Sequence, residues 1–202
     1  MTKLSEYQID AIQELINLGV GRAASLLNNI LNRHVILTVP SIKMISVYSL
    51  VDEFNNDSIG KVSCVDLKFR GSIKGSSKLF FPSESVAQFV SIFAPDEDPN
   101  DFVDELRMGT LVEIGNIVLN SLIGSLSNQL KIDLIYSIPQ YIEFNGNVND
   151  FKIEDPENSS FIHAKTQFKI NDMNIDGSFV LSLEIGSFNQ FITLVDKMIE
   201  SY

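Results

Sequence analysis

The chain has a single cysteine, Cys64, and only two histidines, His34 and His163, in 202 residues. One cysteine excludes an internal disulfide. It lies in Val62-Ser63-Cys64-Val65-Asp66, which reads as a strand with no histidine nearby, so Cys64 is expected to be a small buried hydrophobe rather than a nucleophile. Neither histidine has a metal-ligand neighbour at helical spacing, which leaves zinc without an obvious home and a catalytic triad without support. A Gly-rich phosphate loop is missing too. No apolar run approaches the 18 or so residues that span a bilayer, and the opening Met-Thr-Lys-Leu-Ser-Glu lacks the apolar core of a signal peptide. A cytoplasmic protein is expected. Positive charge is also scarce: 15 Lys and Arg stand against 26 Asp and Glu, a net charge of -11. That balance disfavours nucleic acid and anionic lipid as partners, and suits a basic patch on another protein.

What is present occurs twice. Residues 10–40 contain Asp10, Glu14, Asn17 and Pro40; residues 109–139 contain Gly109, Glu113, Asn116 and Pro139. The two sets share one offset of 99 residues. Ser85-Val86-Ala87-Gln88-Phe89 matches Ser187-Phe188-Asn189-Gln190-Phe191 at an offset of 102. The chain is therefore expected to be one α+β domain, 1–202, made of two internal repeats, about 1–98 and 99–202. The Pro- and Asp-rich stretch Ala94-Pro95-Asp96-Glu97-Asp98-Pro99 joins them.

Each half reads as long helix, strands, short helix. Ser5 and Gln8 form a capping box, with Leu4 and Ile9 as a hydrophobic staple, for a helix that runs to about Leu31. Its counterpart runs from about Asp101 to Gln129. The first half offers strands at Val35–Val39, Ile42–Val51, Val62–Phe69 and Lys78–Phe81. The second offers Ile132–Tyr136, Tyr141–Phe144, Ile162–Ile170 and Phe179–Ile185. Ser85 with Gln88, and Ser187 with Gln190, are expected to cap the short closing helices. The polar stretch Asn145–Ser160 is expected to be a mobile loop.

At 100° per residue, Ile12, Ile16, Ala23, Leu27 and Ile30 form one apolar stripe on the first helix, with Asp10, Glu14, Asn17 and Gly21 on the opposite side. On the second helix Leu111, Val118, Leu122 and Leu126 point inward, while Gly109, Glu113, Asn116 and Asn120 line the outside. Each helix thus shows solvent a Glu and an Asn at i and i+3. On a single helix this is ordinary solvated surface. Here it recurs at identical spacing, and Asn is a poor mid-helix residue. Gly19 and Gly115 are expected where the two long helices pack closely. Gly21 faces outward, so the close approach of a partner accounts for it better.

These residues resemble the motif of the CheC/CheX/FliY phosphatases: Asp or Ser, three residues, Glu, two residues, Asn, twenty-two residues, Pro. Asp10, Glu14, Asn17 and Pro40 fit in full. Glu113, Asn116 and Pro139 fit a second copy, in which Gly109 replaces the leading Asp or Ser. Two motifs, without a further flagellar-switch domain, point to the CheC type. The resemblance implies hydrolysis of the aspartyl phosphate on a CheY-type receiver that brings its own Mg²⁺. It gives Asn17 and Asn116 the water-holding role, and Glu14 and Glu113 the docking of a receiver lysine. Asp10, Gly21, Pro40 and Pro139 would be supporting residues. It also brings in the CheD deamidase as a further partner; the alternative is a non-catalytic adaptor binding CheY-P, CheD or the flagellar switch, and a monomer is the expected state. Neither metal nor cofactor of its own is expected, so elemental analysis of untagged protein should find no stoichiometric zinc or iron; one such metal per chain would overturn this.

Overall fold

The structure, a computed structural model, describes residues 4–57, 62–93, 104–145, 147–151, 159–170 and 173–200. The linker Ala94–Pro99, residues 101–103 at the expected start of the second long helix, and much of the 145–160 loop lie outside them.

Helix α1, Glu6–Leu31, opens on the expected capping box. Gln8 N donates to Ser5 Oγ at 3.2 Å and Ser5 N donates to Gln8 Oε1 at 3.0 Å. It ends at Asn32 with φ of 48°, a left-handed conformation that Asn tolerates. Strands β1 (Val35–Thr38) and β2 (Ile42–Ile45) follow, then α2 (Val47–Asp57), the hairpin β3 (Val62–Gly71) and β4 (Gly75–Pro82), and α3 (Ser83–Phe93). The second half runs α4 (Asp104–Leu130), β5 (Leu134–Tyr136), β6 (Gln140–Phe144), a 3-10 turn (Val148–Phe151), the hairpin β7 (Ser160–Ile170) and β8 (Met173–Leu183), and α5 (Ile185–Ile199). Helix α4 is followed by Lys131 at φ 54°, the position that the 99-residue offset matches to Asn32.

The eight strands among the described residues form one antiparallel sheet rather than separate sheets, in the order β1-β7-β8-β4-β3-β5. β2 also pairs with β7, and β6 with β3. The short strands of each half thus complete the hairpin of the other half, and β4 meets β8 at the centre. The fold is accordingly α+β with two pseudo-symmetric halves.

One face of the sheet carries α1, α3, α4 and α5 over the larger core, which includes Leu67, Leu79, Phe81, Phe168 and Phe179. The other face carries α2 over a smaller core of Phe54, Cys64, Phe80, Phe144 and Phe161. Cys64 is the buried hydrophobe expected, and burial pushes its thiol far above the ordinary range. Helix α4 also corrects the hydropathy reading. Its stretch Glu105–Leu130 has the length and mean hydropathy, 1.3, of a bilayer span. Half of that window is buried in the protein, against α1 and the sheet, so core packing accounts for its apolar character.

Three further expectations need correction. The strand expected over Ile42–Val51 stops at Ile45. Ser46 accepts from Ser49 N at 3.0 Å and starts α2, whose Val47, Leu50, Val51 and Phe54 recur at helical spacing and are buried. Ile30, placed in the apolar stripe, is 56% exposed; Leu27 and the half-buried Leu31 carry that stripe to the helix end. Ser85 and Ser187 do not cap. Their helices start earlier, at Ser83 and Ile185, and each serine instead ties its helix to the other half. Ser85 Oγ donates to the Asp176 carbonyl at 2.8 Å, and Lys74 N donates to Ser187 Oγ at 2.8 Å. The expectation of a mobile loop at Asn145–Ser160 falls largely on residues outside those described; in the described part, Asp150 Oδ2 accepts from Asn145 N and Asn147 N, at 2.8 and 3.0 Å, and folds the 3-10 turn.

Beneath the α2 layer, β3 and β4 carry a buried ion pair. Lys78 Nζ lies 2.6 Å from Asp66 Oδ1 and donates also to Ser76 Oγ at 2.9 Å, with both charged side chains at most 3% exposed. Removing one charge strands the other in a low dielectric. Lys78→Met is expected to cost about 3–5 kcal/mol in urea denaturation, and adding Asp66→Leu should recover most of it. A single variant as stable as the parent would show that Asp66 reaches solvent or another cation.

Candidate functional site

The two long helices cross in direct contact. A Cβ on Gly19 would sit 2.6 Å from Leu122 Cα and 3.2 Å from the Ser121 carbonyl, so only glycine permits this approach. Gly115 has a different neighbour from the one expected. Its Cβ would meet the Val65 side chain at 2.5 Å, so it brings α4 down onto β3 rather than onto α1.

With their inner sides packed on each other and on the sheet, the helices keep the opposite sides free. Ile12, Ile16, Ala23 and Leu27 of α1, and Leu111, Val118, Leu122 and Leu126 of α4, are buried. On the outer sides, Asp10, Glu14 and Gly21 are exposed and Asn17 is half-buried; Gly109 and Glu113 are exposed, and Asn116 and Asn120 are half-buried. Each Glu and Asn pair therefore reaches the surface.

Neighbouring bonds hold these faces. Gln13 Nε2 donates to the Pro40 carbonyl at 3.1 Å, anchoring the chain after β1 beside Glu14. Pro40 is exposed and Pro139 half-buried, each just past its short strand. Asn28 donates to the Val35 carbonyl at 3.2 Å and accepts from Val35 N at 2.6 Å, which docks the start of β1 on α1. Ser127, the residue matched to Asn28 by the 99-residue offset, donates to the Ile132 carbonyl at 2.5 Å before β5. Sequence reasoning misses these ties, although polar residues at matched places near two apolar helix ends are the available signal.

The two faces are not identical. Gly109 replaces Asp10, and nothing lies within 4 Å of where its Cβ would be, so packing does not forbid a side chain there. Asn120 replaces Gly21, and its amide nitrogen donates to Asn116 Oδ1 at 2.6 Å and to the Asn116 carbonyl at 2.8 Å. Away from both faces, Glu53 of α2 gathers Lys43 at 2.5 Å, Lys165 at 3.3 Å and His163 at 3.5 Å. Burial would raise its carboxyl, but these cations together hold it below the usual carboxylate value.

The sequence profile of the CheC-like family matches residues 8–44, which contain Asp10, Glu14, Asn17 and Pro40. The CheY-P phosphatase CheC of Bacillus subtilis (strain 168) is 32% identical over 140 residues, which are 68% of this chain and 66% of that protein. The chain belongs to the CheC-like family. Solved structures share the fold at lower identity. FliY of Thermotoga maritima superposes with a TM-score of 0.76 at 20% identity, over 98% of this chain and 100% of that one. The CheX-CheY-BeF3-Mg complex from Borrelia burgdorferi supplies a chain that superposes with a TM-score of 0.51 at 20% identity, over 85% of this chain and 99% of that one. The CheC-like fold thus extends over both helices, whereas the profile reaches only the first Glu and Asn pair.

The two glycine settings on α1 predict opposite effects on stability. Gly19→Ala should destabilise by about 1–3 kcal/mol, because its methyl meets backbone. Gly21→Ala, with open space around it, should stabilise by up to about 1 kcal/mol. Thermal and urea unfolding of the two variants read the difference; equal shifts would contradict the helix crossing.

Proposed function

We propose that this protein is a cytoplasmic phosphatase that hydrolyses the aspartyl phosphate of a CheY-type response regulator. The observation that carries the reading is the Glu and Asn pair at the same spacing on the outward sides of both long helices, Glu14 with Asn17 and Glu113 with Asn116. The family supports it, since a relative bears the name CheY-P phosphatase and a structural neighbour was solved with CheY.

The chemistry suits these side chains. An amide is no strong base, but it accepts one hydrogen bond and donates another, and so can orient a water. Asn17 or Asn116 holds that water in line with phosphorus. The water oxygen bonds to phosphorus, the bond from phosphorus to the receiver's aspartyl oxygen breaks, and the water's protons leave with inorganic phosphate. Phosphoryl transfer of this kind is catalysed mainly by positioning and charge stabilisation. A carboxylate aimed at the phosphoryl group would repel it. Glu14 and Glu113 therefore pair with a cation, the receiver's lysine, and set the docking register. The Mg²⁺ belongs to the receiver substrate. Gly21 leaves room for the partner's surface, Asp10 flanks the first site, and Pro40 and Pro139 shape the chain beside each helix. The net charge of -11 favours such a cationic docking region. The repeated spacing and the exchange of short strands support two internal repeats within one domain. CheD is a further proposed partner, and the protein is proposed to act as a monomer.

The test is the decay of receiver phosphate at substoichiometric protein. Asn17→Ala or Asn116→Ala alone should leave part of the acceleration. The double variant should return decay to the receiver's unassisted rate while binding survives through Glu14 and Glu113. Stability should move by less than about 0.5 kcal/mol, checked by circular dichroism and urea unfolding. A folded double variant with full activity would place the chemistry elsewhere. A parent protein that binds the phosphorylated receiver without shortening its lifetime would make it an adaptor.

A further inference from the structure

An asparagine amide can present either end. Rotating it by half a turn exchanges an acceptor oxygen for a donor nitrogen at nearly the same place. A residue that must hold a water in one orientation needs that ambiguity resolved. On α4 the structure resolves it. Asn120 Nδ2 lies 2.8 Å from the Asn116 carbonyl, an acceptor that only the nitrogen end of the Asn120 amide can satisfy. The same nitrogen lies 2.6 Å from Asn116 Oδ1. The backbone carbonyl thus fixes which end of Asn120 points back along the helix, and Asn120 fixes which end of Asn116 points towards it. Were Asn116 turned over, two donor nitrogens would face each other. One lone pair of Oδ1 and both N–H groups of Asn116 are left for other partners. On α1 the position one turn beyond Asn17 is Gly21, which has no side chain to play this part.

We propose that Asn120 is a positioning residue of the second site, which sets the polarity of the Asn116 amide before the receiver arrives. The proposal rests on the reading that Asn116 holds the attacking water. Its effect falls on turnover rather than docking, because Asn120 acts through Asn116, and Glu113 carries the contact with the receiver. The first site works without this device.

The test uses the full chain carrying Asn17→Ala, so that the second site alone is read, with the phosphorylated receiver varied in concentration. Adding Asn120→Ala is expected to lower kcat about tenfold at unchanged KM, the size of one well-placed neutral hydrogen bond. Alanine favours the helix, so this variant should fold. Adding Asn120→Asp instead supplies an acceptor of the same shape. It should draw the Asn116 nitrogen inward, reverse the amide, and lower kcat further than alanine does. Unchanged kcat in both variants would overturn the proposal. So would a raised KM at unchanged kcat, which would make Asn120 a receiver contact. Addition of Asn116→Ala to the same background separates the two readings. If it abolishes activity while the Asn120 variants do nothing, only the positioning role fails. If it leaves activity intact, the assignment of Asn116 fails, and the role of Asn120 falls with it.

Discussion

The close crossing of α1 and α4 at Gly19 places both candidate faces. A single methyl at that position would stand 2.6 Å from the Leu122 backbone, so the helices lie as near as their main chains allow. Both helices lie on one face of the sheet over the larger core, with their outer sides turned to solvent. Gly115 provides the second constraint by letting α4 settle onto Val65 of β3. Together these contacts bury Ile12, Ile16, Leu111, Val118 and Leu122, and leave the Glu14 and Glu113 side of each helix facing outward.

The sheet beneath is an exchange between halves. β1 and β2 pair with β7, β5 and β6 pair with β3, and the hairpins meet along β4 and β8. Ser85 and Ser187 repeat the exchange at the level of single bonds, each fastening its helix to the other half's hairpin. Neither half completes its sheet alone. The base that results suits the proposed site, whose chemistry would be positioning, because helices packed along their length hold their side chains to a register. The buried Lys78 and Asp66 pair belongs to the same base. It makes the β3 and β4 register sensitive to a shift of one residue, which would turn a charge to the opposite face.

Much of this is legible in the chain, and the misses have definite causes. The α1 boundaries follow from Ser5, Gln8 and Asn32, all within a turn of the ends they define. The outward Glu and Asn pairs follow from helical periodicity alone. α2 reads as strand because Ile42–Val51 is apolar and short, although Ser46 and the spacing of Val47, Leu50, Val51 and Phe54 carry the helix signal. The serines at 85 and 187 have the spacing of a capping box, but their helices begin two residues earlier, and their bonds go to backbone about a hundred residues away.

The helices, their polar faces and the duplicated Glu and Asn spacing follow from the amino-acid order, because caps and the 3.6-residue period act over a few neighbouring residues. The contact of Asn120 with Asn116 is of this local kind, since residues four apart share one helix face. Strand pairing is not, nor is the meeting of Gly19 with Leu122 and of Gly115 with Val65, nor the burial of the Lys78 charge against Asp66. These emerge only when the folded chain brings distant partners together, because local pattern states that a face must be covered without stating what covers it.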